Sequence, residues 1–298
     1  MGRSARSNCA NKLSRSSGCR PEHAHTRTTF TTSQTEDMMS WTIERRGRVA
    51  VVTMNTNPVN AQNRAFFADL HDAFDRLERD HPQSPVVLTG TGTRFSAGLD
   101  LAEHFRLFAG DEAAVASWFQ DYRATNIRLF TYPRPTVAAV NGHAFAGGLI
   151  TAAVCDRTVA AAGEARFGIN EVNIGIPMPA VYLRMLAYAW GQPVASRTCL
   201  QGEIFSVHEA HEMGILHEVV PAEELLDRAV ALAELTPEDC IDNYAYTKQA
   251  LQAPTLRDIA DLSDPLDRKE LAAGMTSEPS RRAHRRYWEQ LKGRPADW

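Results

Sequence analysis

Two short stretches, "FSAGLDLA" (95–102) and "FAGGLITA" (145–152), set small residues, Ala97-Gly98 and Gly147-Gly148, just ahead of helix-like segments. Small residues let a ligand approach the main chain, and the first N–H groups of a helix have no partner within it. One N–H from each turn, converging on a single oxygen, would form an oxyanion hole that stabilises developing negative charge. Downstream, "ARFGINEVNIGIPMPA" (165–180) holds one acid, Glu171, among Phe167, Ile169, Val172, Ile174, Ile176 and Pro177. Apolar surroundings disfavour an ionised carboxylate and raise its pKa toward what a general base needs. One hole and one base suit proton abstraction beside a thioester or similar carbonyl. The alternatives are glycines that only permit tight packing and a glutamate that faces water.

The elements that would position these groups follow from patterning. "WTIERRGRVAVVTMN" (41–55) alternates about Arg46-Gly47 and predicts a β-hairpin. Asn60 is placed to cap a helix with the apolar stripe Phe66, Phe67, Leu70, Phe74 and Leu77. Residues 85–90, 135–142 and 156–161 predict buried strands. Residues 99–108, with Asp100 in the first turn, and 112–130 predict helices. Beyond residue 178 the pattern is almost wholly helical, with one strand-like piece at His217 to Val220. The whole predicts a layered α/β core followed by a helical subdomain. A shift of 50 residues lays 85–102 over 135–152, matching Pro85 to Pro135, Val87 to Val137, Phe95 to Phe145, Gly98 to Gly148 and Leu99 to Leu149. This echo suggests two turns of one spiral.

Other chemistries find little support. The 298 residues carry a net charge of −4, without a general pull toward nucleic acid or anionic membrane, and no apolar run is long enough to span a bilayer. Cys9, Cys19, Cys155, Cys199 and Cys240 are odd in number and lack C-x-x-C, which argues for a reducing compartment. No P-loop, G-x-G-x-x-G or G-x-S-x-G motif is present. His208 and His211 do not complete a zinc motif and are expected on a helix surface. The basic segment 281–292 is expected to be a docking helix whose cations could meet a phosphate. Residues 1–37 carry Arg3, Arg6, Lys12, Arg15, Arg20 and Arg27 with many Ser and Thr. They predict a disordered leader or tail of a cytoplasmic bacterial protein; as a transit peptide they would instead direct it to the mitochondrial matrix.

Taken in order, "RFSAGLDL" (94–101), "NGHAFAGG" (141–148) and "FGINEVNIGIP" (167–177) resemble the crotonase (enoyl-CoA hydratase/isomerase) superfamily. "NPVNAQNRAFFADL" (57–70) and the helical tail fit too, so the resemblance runs from about Trp41 to about Lys292. It implies an α/β fold: a spiral of ββα turns over 38–195 and a C-terminal helical trimerisation region over 196–298. It also implies an acyl-CoA thioester substrate, no cofactor apart from the coenzyme A of that substrate, and a homotrimer or hexamer. Carried over by position, the oxyanion-hole N–H groups belong to Leu99 and Gly147, with Gly148 beside the latter. Asn57, Val59, Ala97 and Leu101 fall where the family lines the CoA site. The family's basic residue on the last helix falls at Gln290, with Lys292 and Arg286 nearby.

Hydratases of this family carry a first catalytic Glu where this chain has Ile150, and a second at Glu171. Isoleucine can neither activate water nor manage a proton, which disfavours a hydratase. Dienoyl-CoA isomerases carry a further acid where this chain has Pro179. The single-Glu arrangement resembles that of 3,2-enoyl-CoA isomerases. In that case Ile150 would help exclude water, and Met178, Trp118 and Phe119 would be candidates for either the acyl pocket or ordinary core. The rival readings are another single-acid reaction on an acyl-CoA and a non-catalytic acyl-CoA-binding protein.

Overall fold

The computed structural model describes residues 41–110, 112–261 and 265–298, and the side chains of these outside 261–270. The leader expected over 1–37 lies outside the described residues.

The main sheet runs β1 (Thr42–Arg46), β2 (Val49–Met54), β3 (Val86–Gly90), β5 (Thr136–Val140), β7 (Arg157–Ala161), β10 (Glu218–Val220). A second sheet runs β4 (Arg94–Ser96), β6 (His143–Phe145), β8 (Arg166–Gly168), β9 (Ile204–Ser206). The β1–β2 hairpin and the β8–β9 pair are antiparallel, and every other pairing is parallel. The sequence echo is the register of the main sheet. Val86 to Thr89 of β3 pair with Thr136 to Ala139 of β5, and Thr89 Oγ1 donates to Ala139 O across a sequence separation of 50. After the β1–β2 hairpin, the pairs β3/β4, β5/β6 and β7/β8 each lay one strand in each sheet before the chain returns through helix, a spiral of ββα units.

The helices are α1 (Arg64–Asp80), α2 (Leu101–Ala109), α3 (Glu112–Phe130), α4 (Gly147–Ala153), α5 (Ala180–Trp190), α6 (Gln192–Gln201) and α7 (Val207–Glu212). They continue with α8 (Leu225–Ala233), α9 (Ile241–Asp261), α10 (Pro265–Thr276) and α11 (Glu278–Lys292). β5 is buried throughout because both faces of the main sheet are covered. On one face Leu225, Ala229, Leu232 and Ala233 of α8 meet Val49, Val51, Val87, Val137 and Val159. The other face joins the large core that includes Phe66, Leu70 and Phe74 of α1.

Three expectations are corrected. Asn63, not Asn60, caps α1, accepting from Phe66 N at 3.1 Å. Asn60 has a left-handed backbone (φ 47°), and its Nδ2 donates to Met54 O at 3.1 Å and Phe95 O at 3.2 Å, tying β2 to β4. Asparagine suits both tasks, since it tolerates positive φ and competes well for backbone groups. Asn60→Ala is expected to cost about 2–4 kcal/mol, from two lost buried hydrogen bonds and left-handed strain, read as a fall in the urea midpoint. Asp100 is the N-cap of α2 rather than a first-turn residue, accepting from Ala102 N and Glu103 N. β9 interrupts the segment expected to be helical; it pairs with β8 and ends in Ser206, which forms a capping box with Glu209 at the start of α7.

Among the described residues no helix is long and apolar enough to cross a membrane.

Candidate active site

The two small-residue turns meet. Gly98 has φ 80°, and a Cβ there would lie 2.4 Å from Phe145 O and 2.8 Å from the Ala146 Cβ. A Cβ on Gly148 would lie 2.4 Å from Ser96 O. These glycines are therefore required by the close approach of one turn to the other. The left-handed bend of the second turn is at Ala146 (φ 51°, ψ −126°) and not at either glycine of the pair, both of which lie inside the first turn of α4. Non-glycine residues pay for this conformation, and such strain concentrates at functional sites.

Leu99 is held from one side. Gln62 N donates to Gly98 O at 2.7 Å, and Asp100 N donates to Gln62 O at 2.9 Å. In this extended bridge the N–H groups of successive residues point in opposite directions, so the Leu99 N–H points away from Gln62. Gly147 is the first residue of α4; its carbonyl accepts from Gln62 Nε2 (3.2 Å) and Thr151 Oγ1 (3.0 Å). The N–H groups of Leu99 and Gly147 find no acceptor among the described residues. Gln62, which braces both turns, was not singled out from the sequence, where nothing marks one glutamine ahead of a helix as a bridge.

Glu171 opens a 3-10 turn (Glu171–Ile174) closed by Gly175 in the left-handed region. It is 3% exposed, its Oε2 has no hydrogen-bond partner, and burial pushes its pKa up to about 7 against a small opposing effect of its own backbone N–H. Of the two alternatives left by the sequence, the water-facing glutamate is thereby excluded.

A cleft of about 610 Å³ brings Asn57, Val59, Ala97, Leu99, Leu101 and Glu171 together. That volume suits a small-molecule ligand. Gly147 is not itself in the lining, but it follows Phe145 and Ala146, which are. Besides Gly147, three of the sequence candidates do not line it: Gly148 is packed on Ser96, Ile150 is buried in the core on α4, and Met178 is half-buried against that core. Trp118 is likewise core, its indole N–H donating to Glu103 at 2.7 Å. From α11 the cleft receives Tyr287, Trp288, Leu291 and Lys292. Gln290 and Arg286 are exposed and outside it, so the cation at the cleft is Lys292, whose ammonium lies 5.6 Å from the Trp288 ring centre. His208 and His211 are exposed on α7, and the described residues hold no cluster of metal-ligating side chains.

The arrangement offers a buried carboxyl titrating near neutrality, two unpaired main-chain donors, and an apolar cleft with one cation near its edge. The family model "Enoyl-CoA hydratase/isomerase" matches residues 44–295. Among similar proteins, "2,3-dehydroadipyl-CoA hydratase" of Escherichia coli (strain K12) is 33% identical over 213 residues, 70% of this chain and 80% of that protein. "Enoyl-CoA delta isomerase 1, mitochondrial" of Mus musculus is 32% identical over 183 residues, 61% of this chain and 62% of that protein. Among solved structures, human mitochondrial delta3-delta2-enoyl-CoA isomerase superposes with a TM-score of 0.77 at 27% identity, covering 86% of this chain and 99% of that one.

Proposed function

The chain belongs to the enoyl-CoA hydratase/isomerase family, and from that premise we propose that it moves the double bond of a 3-enoyl-CoA to the 2 position. The observation that carries this reading is a site with one carboxylate. Glu171 is buried and titrates near neutrality, while the position of a second family acid is the fully packed Ile150.

In the proposed reaction Glu171, ionised, removes a proton from C2. Charge spreads through a dienolate onto the thioester oxygen, which accepts from the N–H groups of Leu99 and Gly147. The same carboxyl then delivers the proton to C4, so atoms and charge balance without water or cofactor. Ile150, packed in the core on α4, supplies no second acid that could activate water. Asn57, Val59, Ala97 and Leu101 line the path of the CoA moiety, and Lys292 is placed to meet one of its phosphates. Assembly into a trimer, or a hexamer of two trimers, belongs to the same proposal and is read by light scattering.

Relatives named as hydratases favour hydration of a 2-enoyl-CoA as the second reading. Direct assay of 3-hexenoyl-CoA isomerisation beside 2-hexenoyl-CoA hydration separates the two. Isomerisation at least a hundredfold faster than hydration is expected. Hydration as the faster reaction would overturn the proposal, and binding without turnover of either would leave a binding protein.

A further inference from the structure

Tyr122 of α3 is a buried proton donor that the proposed mechanism does not use. It is 2% exposed, and its hydroxyl has no hydrogen-bond partner among the described residues. The ring is fixed by Phe67 (stacked, centroids 5.5 Å apart), Trp118 (5.4 Å) and Tyr182 (4.9 Å). That frame aims the hydroxyl at Gly147, where a Cβ would lie 2.4 Å from it. Burial, with the charge of Glu171 adding to it, raises the pKa of the phenol against the opposing effect of the nearby Asn126 side-chain amide, which can donate to the oxygen but leaves the hydroxyl proton in place. Glu171 Oε2 is itself a buried acceptor without a donor. Buried polar groups are nearly always paired, and here a donor without an acceptor, packed against Gly147, lies in the field of an acceptor without a donor.

We propose that Tyr122 is a positioning residue for Glu171: with an acyl-CoA bound, its hydroxyl donates to the Glu171 carboxylate and holds it along the C2–C4 edge of the substrate. The two groups are not hydrogen-bonded in the free protein, so the contact forms as the Glu171 side chain, with its three rotatable bonds, closes on the ligand. The inference rests on Glu171 being the base. The competing acceptor is Gln62 Oε1, also unpaired and crowding the same face of Gly147. A hydroxyl donating there would brace Gly147 instead of the base.

The test compares Tyr122→Phe, which keeps the ring stack, with Tyr182→Phe, which removes the neighbouring unpaired hydroxyl. Conversion of 3-hexenoyl-CoA is run in D2O, reading kcat, KM and deuterium at C4 of the product. A held carboxyl passes its proton from C2 to C4 before exchanging with solvent. The wild type is expected to incorporate little label. Tyr122→Phe should lower kcat about tenfold with KM within about twofold, and raise label per turnover at least about threefold. Tyr182→Phe should label as wild type does. A fall in kcat with unchanged labelling would assign the hydroxyl to Gln62 and overturn the proposal, as would a wild type labelled at every turnover. Exchange of the C2 protons of hexanoyl-CoA in D2O needs the base but no allylic shift. A wild type that exchanges these protons without isomerising overturns the isomerase reading alone. Tyr122→Phe is then judged by exchange, expected to be about tenfold slower, with an unchanged rate overturning the proposal. A wild type that does neither removes both.

Discussion

Glu171→Gln is expected to lower 3-hexenoyl-CoA conversion about 10³-fold or more while the ester still binds, because the amide fills the same space but cannot take a proton. The pH dependence has a definite sign. In the proposed reaction Glu171 acts as carboxylate, and burial raises its pKa to about 7, so the rate of the wild type should fall about tenfold per pH unit below 7 and level off above it. The same burial has a consequence for stability. A carboxyl whose pKa rises from 4.5 in the unfolded chain to about 7 in the native protein binds more protons when folded throughout that interval. Its contribution is therefore fully present below about pH 4.5 and is lost as pH rises to about 7, a change of up to about 3 kcal/mol. Glu171→Gln removes the charge that must be buried, so the variant should melt above the wild type at pH 8 and lose that advantage at pH 5. A scanning calorimetry series over this range checks it. An inactive variant that gains stability only at high pH is what a strained catalytic carboxylate should give; equal melting at both pH values would mean that Glu171 is solvated.

The burial of this carboxylate was one of two readings the sequence left open; the apolar neighbours Phe167, Ile169, Ile174 and Ile176 are buried with it, whereas Val172 and Pro177 are exposed. The β1–β2 hairpin and α3 were legible because their patterning is local. The 50-residue echo survived as register because one spiral turn repeats strand, glycine turn and helix. What escaped depends on contacts between distant residues. Asn60 and Asn63 are equally good caps by type, and only the tie from Asn60 to Met54 O and Phe95 O decides between them. β9 spans three residues and exists because β8 offers it an edge. Lys292 and Gln290 lie about half a helical turn apart, so placing the cation required knowing which face of α11 turns to the cleft. Tyr122 reads as one more aromatic in a buried stripe until its hydroxyl is seen to lack a partner beside Gly147.

Gly98→Ala is expected to damage both fold and chemistry, and a second glycine separates the causes. Gly92 and Gly98 share the left-handed region (φ 69° and 80°), so alanine pays about 1–2 kcal/mol of backbone strain at either. At Gly92 a Cβ would meet nothing within 4 Å, and the cost should stop there. At Gly98 the Cβ would lie 2.4 Å from Phe145 O, a main-chain atom with a strand behind it. One turn must then move from the other, adding about 1–3 kcal/mol and bringing the total to about 2–5 kcal/mol. The same movement carries Leu99, the next residue, away from its place opposite Gly147. Loss of one oxyanion donor lowers turnover about 10²–10³-fold. Gly98→Ala should therefore lose that much kcat in the fraction that remains folded, whereas Gly92→Ala should keep wild-type kcat at a melting temperature lowered by a few degrees. Urea titrations and turnover measured on both variants, at a temperature where each is folded, check the pair. Equal losses of stability would put the crowding at Gly98 in error. A folded Gly98→Ala with full turnover would take the Leu99 N–H out of the reaction.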